Sequence, residues 1–177
     1  GGSRGNPGPG GCGAAVVRIG NVRGGHEICW AVGMSYAAAS TTNNVVENMG
    51  LLTGLKACLR FGWTPLHVVG DSNLIIHQQK TRTPPRAKHL RPLYWQSRRV
   101  ADKLAVISWQ HHPRAHNSKA DALANMAMDS RRSFQRNLNR VCGSDSIWDD
   151  VYNYASGDVS HWMEQNSDEN SSGLAAF

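Results

Sequence analysis

Residues 1–141 carry all 19 Lys and Arg of this sequence but only six of its 13 Asp and Glu, a net charge of +13. Glu47, Asp71 and Asp121 are three of those six, and each starts a predicted helix or follows a predicted strand. Grouped carboxylates repel one another unless cations neutralise them. Hard divalent ions with oxygen ligands do so, and Mg²⁺ is the usual one beside phosphates. Two such ions ~3.5–4 Å apart activate a water and stabilise the leaving oxygen of a phosphodiester. Spacing alone does not bring the three together. Taken singly, Glu47 suits the first turn of a helix through the dipole, and Asp71 or Ser72 suits a helix N-cap.

The pattern predicts the elements that hold these residues. Thr41, Thr42, Asn43 and Asn44 are capping types. Val45, Met49 and Leu52 then repeat at helical spacing, widened by Val46, Leu51 and Leu55, up to Phe61-Gly62. Leu66 to Gly70 reads as a short buried strand that delivers Asp71 at its C-terminal end, where open α/β sheets place their sites. Ser72 opens the next helix. Gly1 to Gly13 is Gly and Pro punctuation, with no G-K-[ST] to make a nucleotide loop. It reads as a hairpin entry, or as backbone amides approaching a phosphate or sugar with Asn6 assisting. Ala14–Ile19 and Glu27–Tyr36 form an antiparallel hairpin. Val106–Gln110 is a further strand, and Pro113 marks a loop. Asn117 or Ser118 caps a helix whose Ala120, Leu123, Ala124 and Ala127 suit close packing and whose first turn holds Asp121.

Between Lys80 and Lys103 stand eight cations against Asp102 alone. Pro84-Pro85 breaks this run into a loop and a helix from near His89, buried through Leu90, Leu93, Tyr94, Val100 and Leu104. Such a density of cations reads as a phosphate-tracking ridge. Residues 142–177 hold no Lys or Arg and seven acids, a charge of −7. No apolar run approaches the ~18 residues of a membrane span. The polar, Gly-rich start has no signal peptide and no initiator Met, and reads as that of a fragment or processed product. Cys12, Cys29, Cys58 and Cys142 are scattered, which predicts buried free thiols and a reducing compartment, cytoplasm or nucleus.

Four segments carry a family resemblance: GGSRGNPGPGG, TTNNVVENMGLLTGL, GDSNLIIHQ and HHPRAHNSKADALANMAMD. In their order and spacing the chain resembles a type 1 ribonuclease H domain of the plant and archaeal branch, over roughly residues 1–130. The resemblance implies an α/β fold, a mixed five-stranded sheet flanked by helices. It implies a metal-dependent endonuclease that hydrolyses the RNA strand of RNA–DNA hybrids. Glu47, Asp71 and Asp121 would hold two Mg²⁺ or Mn²⁺ ions. His111, in a mobile loop before the last carboxylate, would help proton transfer or product release. Asn6, Thr42, Asn43 and Asn44 would touch the hybrid, reading 2′-hydroxyls and DNA phosphates. Lys80, Arg82, Arg86, Lys88 and Arg91 would bind the DNA strand.

One departure bears on all of this. The family has an Asp immediately before the Gly that matches Gly1; it bridges both ions from the sheet's central strand. Here that carboxylate and most of that strand are expected to be missing, which exposes two strand edges and weakens cleavage. The rival readings are a non-catalytic nucleic-acid-binding domain of the same fold and a retroelement remnant with a polymerase domain in a longer parent chain. The expected organisation is a monomer with a domain at 1–136 and an acidic, aromatic, partly disordered tail at 137–177. That tail docks on a partner, docks on the basic body, or has no function. No membrane partner is expected.

Overall fold

The computed structural model describes residues 1–20, 25–137, 146–166 and 173–176. A two-residue strand, β1 (Gly2–Ser3), turns into β2 (Gly10–Ile19), which pairs antiparallel with β3 (His26–Tyr36). There follow α1 (Asn43–Phe61), β4 (Leu66–Gly70), α2 (Asn73–Thr81) and α3 (Arg91–Ala101). Then come β5 (Val106–His111), α4 (Ser118–Ser130) and β6 (Phe134–Asn137). Two further elements lie within the expected tail: α5 (Ser146–Gln165) and β7 (Gly173–Ala176).

Local chemistry sets the bounds of α1. Thr42 is extended, at φ −108° and ψ 157°, and its hydroxyl accepts the Val45 N–H at 3.4 Å. Gly62 ends the helix at φ 67°, where its N–H reaches the carbonyls of Cys58 and Leu59.

The sheet is mixed and flanked by helices, as expected, and its strands run β5-β4-β7-β2-β3-β6 with β1 also on β2. Leu55 of α1 and Ala101 of α3 cover one face, packed with Val16, Trp30, Leu66 and Val68. Leu123 of α4 and Val151, Val159 and Trp162 of α5 cover the other, packed with Val17 and Ile28. Cys12, Cys29 and Cys58 are buried free thiols; Cys142 lies outside the described residues.

The sheet holds seven strands rather than five: β6 is added outside β3, and two short strands share the centre. β3 runs along β2 from Gly10 to Ile19. β1, opposite Gly10 and Gly11, and β7, opposite Val16 to Ile19, therefore share the other edge of β2. Both run antiparallel to β2, and β7 also pairs parallel with β4. The central position is thus built of two pieces from opposite ends of the chain. Its Gly-Leu-Ala-Ala sequence is small enough to sit between two helical layers, and Ala175 is fully buried. Without it, edge N–H and C=O groups of β2 and β4 would be unpaired inside the fold.

Within the segment expected as a tail, α5 packs into the core. Val151, Ala155, Val159 and Trp162 recur at helical spacing and are no more than 1% exposed. Asp149, Asp150 and Glu164 stay exposed. Because α5 covers the face opposite α1 and α3, it does not dock on the basic 80–103 segment.

Asp158 explains how α5 is fixed. One carboxylate oxygen accepts the Ser118 N–H at 3.2 Å; the other accepts the Lys119 N–H at 3.0 Å and the Lys119 ammonium at 3.2 Å. Asn117 stands at the N-cap position of α4 but makes no capping bond, so the cap comes from α5. Burial pulls the Lys119 ammonium well below its ordinary pKa, against the pull of Asp158. Removing one partner of a buried pair leaves the other charge uncompensated. Asp158→Ala is therefore expected to cost about 3–5 kcal/mol in urea unfolding. A loss below ~1 kcal/mol, the scale of an exposed pair, would contradict this docking.

Candidate active site

The parallel register Gly70 to His111 brings the ends of β4 and β5 side by side. Asp71 follows β4 directly. His111 is the last residue of β5 rather than part of a loop, and its Nε2 lies 3.2 Å from the Asp71 carbonyl. Its ring is exposed. Asp121 sits in the first turn of α4, as expected. Glu47 differs from expectation: α1 starts at Asn43 and has no acid in its first turn. The helix dipole therefore does not account for Glu47, which stands half-buried one turn further in.

One guanidinium relates the three carboxylates. Arg114 donates a hydrogen bond to Asp121. That bond, partly offset by burial, holds Arg114 above its ordinary pKa, and the charges of Asp121, Asp71 and Glu47 add to the effect. Burial raises the Glu47 carboxyl above its usual range, and Asp71 pushes it further. The Ser72 side chain, the Gly1 amino group and Arg114 oppose the rise. Glu47, Asp71 and Asp121 thus come from three elements into the field of one cation.

Beside them lies a cavity of about 70 Å³, bounded by Gly1, Glu47, Asp71, Ser72, Asn117 and Ala176. Asn117 is buried, and its Oδ1 has no partner among the described residues. The donor set, carboxylate oxygens alone, suits a hard divalent cation in kind. Its spacing in this arrangement does not: among the described residues no three His, Cys, Asp or Glu side chains gather closely enough to hold a metal ion. Arg114 supplies the neutralising charge.

The expected recognition residues form one polar corner. The Asn43 Oδ1 accepts the Ser3 N–H at 2.7 Å and the Ser3 hydroxyl at 2.8 Å, tying α1 to β1. The Asn43 N–H donates to Asn6 Oδ1 at 3.4 Å. Thr42 serves as the cap. The Asn44 carbonyl accepts from Asn48 Nδ2 at 2.8 Å, while residue Asn44 itself is exposed. Of the basic residues, Lys80, Arg82, Arg86, Lys88 and Arg91 are exposed. Arg82 pairs with Asp102 at 2.8 Å, and Arg91 Nε donates to the Pro85 carbonyl at 3.1 Å. Burial would raise the Asp102 carboxyl, but Arg82 and Arg98 outweigh it and hold it below its usual range. Arg98, one of the eight cations of the ridge, is buried. It donates to the Gln79 carbonyl at 2.8 Å and lies over the Trp109 ring at 5.4 Å, so it holds the fold.

Arg114, Asn117 and Asp158 are site-building residues that the sequence reading does not single out for these roles. Nothing in the pattern distinguishes Arg114. Asp158 was detectable, because it falls beside the apolar stripe of α5.

The model of the reverse transcriptase-like family matches residues 2–127. A bifunctional protein of Mycobacterium tuberculosis is 39% identical over 130 residues, covering 73% of this chain and 34% of that protein. The chain therefore spans about a third of the length of that relative. Ribonuclease HI of Halobacterium salinarum is 35% identical over 129 residues, 73% of this chain and 61% of that protein. The solved N-terminal RNase H domain of the mycobacterial protein, a fusion with maltose-binding protein, is similar with a TM-score of 0.63. It is 37% identical and covers 73% of this chain and 88% of that one. LC11-RNase H1, solved in complex with an RNA/DNA hybrid, gives a TM-score of 0.62 at 28% identity, over 73% of this chain and 93% of that one. The family match ends before α5 and β7 begin.

A carboxyl held above its usual range is disfavoured as an anion in the fold, so its ionisation costs stability above that range. Glu47→Gln should therefore stabilise the metal-free protein at neutral pH, read as a raised melting temperature. The gain should vanish on acidification through the carboxylate range. A destabilised variant at neutral pH would contradict the assigned environment.

Proposed function

The chain belongs to the reverse transcriptase-like family, and from that premise we propose that its carboxylate-lined sheet edge is the site of a nuclease acting on the RNA strand of RNA–DNA hybrids. The observation that carries the reading is that Glu47 of α1 and Asp71, directly after β4, line one cavity that reaches Asn117 and Ala120 at the start of α4, where Arg114 holds Asp121. The names of the similar ribonucleases H and the hybrid-bound neighbour support the substrate class.

In this reading Glu47, Asp71 and Asp121 would hold Mg²⁺ or Mn²⁺ after a rearrangement that draws them together and frees Asp121 from Arg114. Such ions, when bound, supply an activated water and charge for the leaving oxygen. The protein's own groups do the rest. Arg114 pairs with Asp121 and adds one positive charge to the field of Asp71 and Glu47. His111, exposed beside Asp71 with its Nε2 at the Asp71 carbonyl, assists proton transfer or release of the cleaved end. Asn44 meets the minor groove of the hybrid, where the 2′-hydroxyl tells RNA from DNA. Lys80, Arg82, Arg86, Lys88 and Arg91 track the DNA phosphates, with the salt dependence that such contacts bring.

A second reading has a specific observation in its favour. With Arg114 on Asp121 and no closed three-ligand group among the described residues, the domain serves as a binding module without catalysis.

The two readings separate on a one-residue addition. An Asp placed before Gly1 restores the carboxylate that the family resemblance implies. With Mg²⁺ and a labelled hybrid, this variant is expected to cut the RNA strand on the order of 100-fold or more faster than the chain beginning at Gly1. Asp71→Asn in the same background should remove cleavage and leave hybrid affinity within about threefold, since it takes away a metal ligand rather than a phosphate contact. A variant that binds hybrid but cleaves no faster than the unaltered chain would leave the binding module as the function.

A further inference from the structure

Three histidines meet where α5 packs on the loop between β5 and α4. His112 follows β5, and its N–H donates to the Gly70 carbonyl at 3.0 Å. His116 closes the single 3-10 turn Arg114–His116. His161 stands on α5, one residue before the buried Trp162. The His116 and His161 rings stack at 3.5 Å and 10°, and the His161 ring meets that of His112 edge-on at 5.2 Å. His112 is 1% exposed, and neither of its ring nitrogens has a hydrogen-bond partner among the described residues. A buried imidazole without an acceptor has nothing to hold a second proton. Gln165 Nε2 donates to His161 Nε2 at 3.0 Å, a bond that only an unprotonated nitrogen accepts. The cluster is thus built for neutral rings.

We infer that His112, His116 and His161 form a proton-sensitive joint: while neutral they seat α5 on the loop that leads into α4, and on protonation they push it away and loosen the turn that carries Asp121. Two cationic rings in a stack this close repel each other, and a cationic His112 would be stranded from both water and acceptors. Burial pulls the His112 imidazole down to about 4, and the charges of His161, Lys119, His116 and His111 push the same way. These groups stand on α5, α4, the 3-10 turn and β5, so each of those elements opposes a charge on the ring. Arg114, on the same turn, is engaged with Asp121. Two carboxylates border the cleft beside His116 and His161. Asp158 is taken up by Lys119 and the α4 amides, and Glu164 is exposed, where water screens it; neither is bonded to His112. A ring that is neutral in the fold, but of ordinary pKa near 6.5 once released, favours the seated state above about 6.5 and loses that advantage as pH falls toward 4. Asp158 caps the turn through the Ser118 and Lys119 N–H groups, so unseating α5 removes the cap. The three histidines are therefore positioning residues for Asp121, and this rests on the docking of α5 rather than on the nuclease reading.

Acidifying the full chain from about pH 7.5 to about 5.5 tests the joint. In the unaltered protein the His112 ring, followed by its Cε1–H resonance, should stay neutral well below pH 6.5; titration at that ordinary value overturns the inference. Native-state hydrogen exchange, corrected for the pH dependence of the chemical step, then compares the Ser118 and Lys119 amides under the α5 cap with those of Val16 to Ile19 in the sheet. Acid should increase the opening of the first pair about tenfold more than that of the second set. His112→Leu, which keeps the bulk without the basic nitrogens, should lose this response. His161→Phe, which keeps the ring stack, should weaken it. An equal response of both sets in the unaltered chain makes the proton effect global and overturns the joint. A response that survives in full in whichever variant folds overturns it as well.

Discussion

The pairing of β7 between β2 and β4 is the constraint on which the rest of this structure depends. β2 is held on its other side by β3, and β4 by β5. Their inner edges lie under helices on both faces, where water does not reach them. Each backbone group left unpaired there would cost about 1–3 kcal/mol. Only extended backbone satisfies both edges at once, and β7 provides it, antiparallel to one neighbour and parallel to the other. β4 then ends beside β5, and Asp71 comes to His111.

The second half of the construction is α5. It closes the sheet face under α4 with Val151, Ala155, Val159 and Trp162, and it caps α4 with Asp158. Asp121 rides on the turn so capped. The two elements beyond the family match thus act on the same site from two directions: β7 sets the sheet edge, and α5 sets the helix that carries the last carboxylate. Arg114 pairs with Asp121, and the charges of Asp71 and Glu47 act on it as well.

Much of this was readable in the sequence because it is local. The cap at Thr42, the apolar repeat of α1, the run Leu66 to Gly70 and the small residues of α4 each follow from chemistry within a few residues. Two of the consequences, Asp71 directly after β4 and Asp121 in the first turn of α4, follow too, whereas Glu47 lies one turn inside α1. What could not be read is long-range. Gly-Leu-Ala-Ala has too little β-propensity to announce a central strand; its place comes from two edges over a hundred residues earlier in the chain. The charge of 142–177 masked α5, since seven acids in a lysine- and arginine-free stretch read as solvated. The stripe of Val151, Ala155, Val159 and Trp162 was the stronger signal. Arg98 shows the converse error: a cation in a basic run that is buried against Gln79 and Trp109.

Native-state hydrogen exchange of the β7 amides tests the central claim most directly. A strand paired on both sides inside the sheet opens only when the whole domain does, whereas a loosely attached segment exchanges through local fluctuation. The account predicts that the amides of Leu174, Ala175 and Ala176 exchange with the same opening free energy as those of Val16 to Ile19, their partners on β2. Exchange of these three at rates near those of an unfolded chain, with β2 still protected, would contradict it.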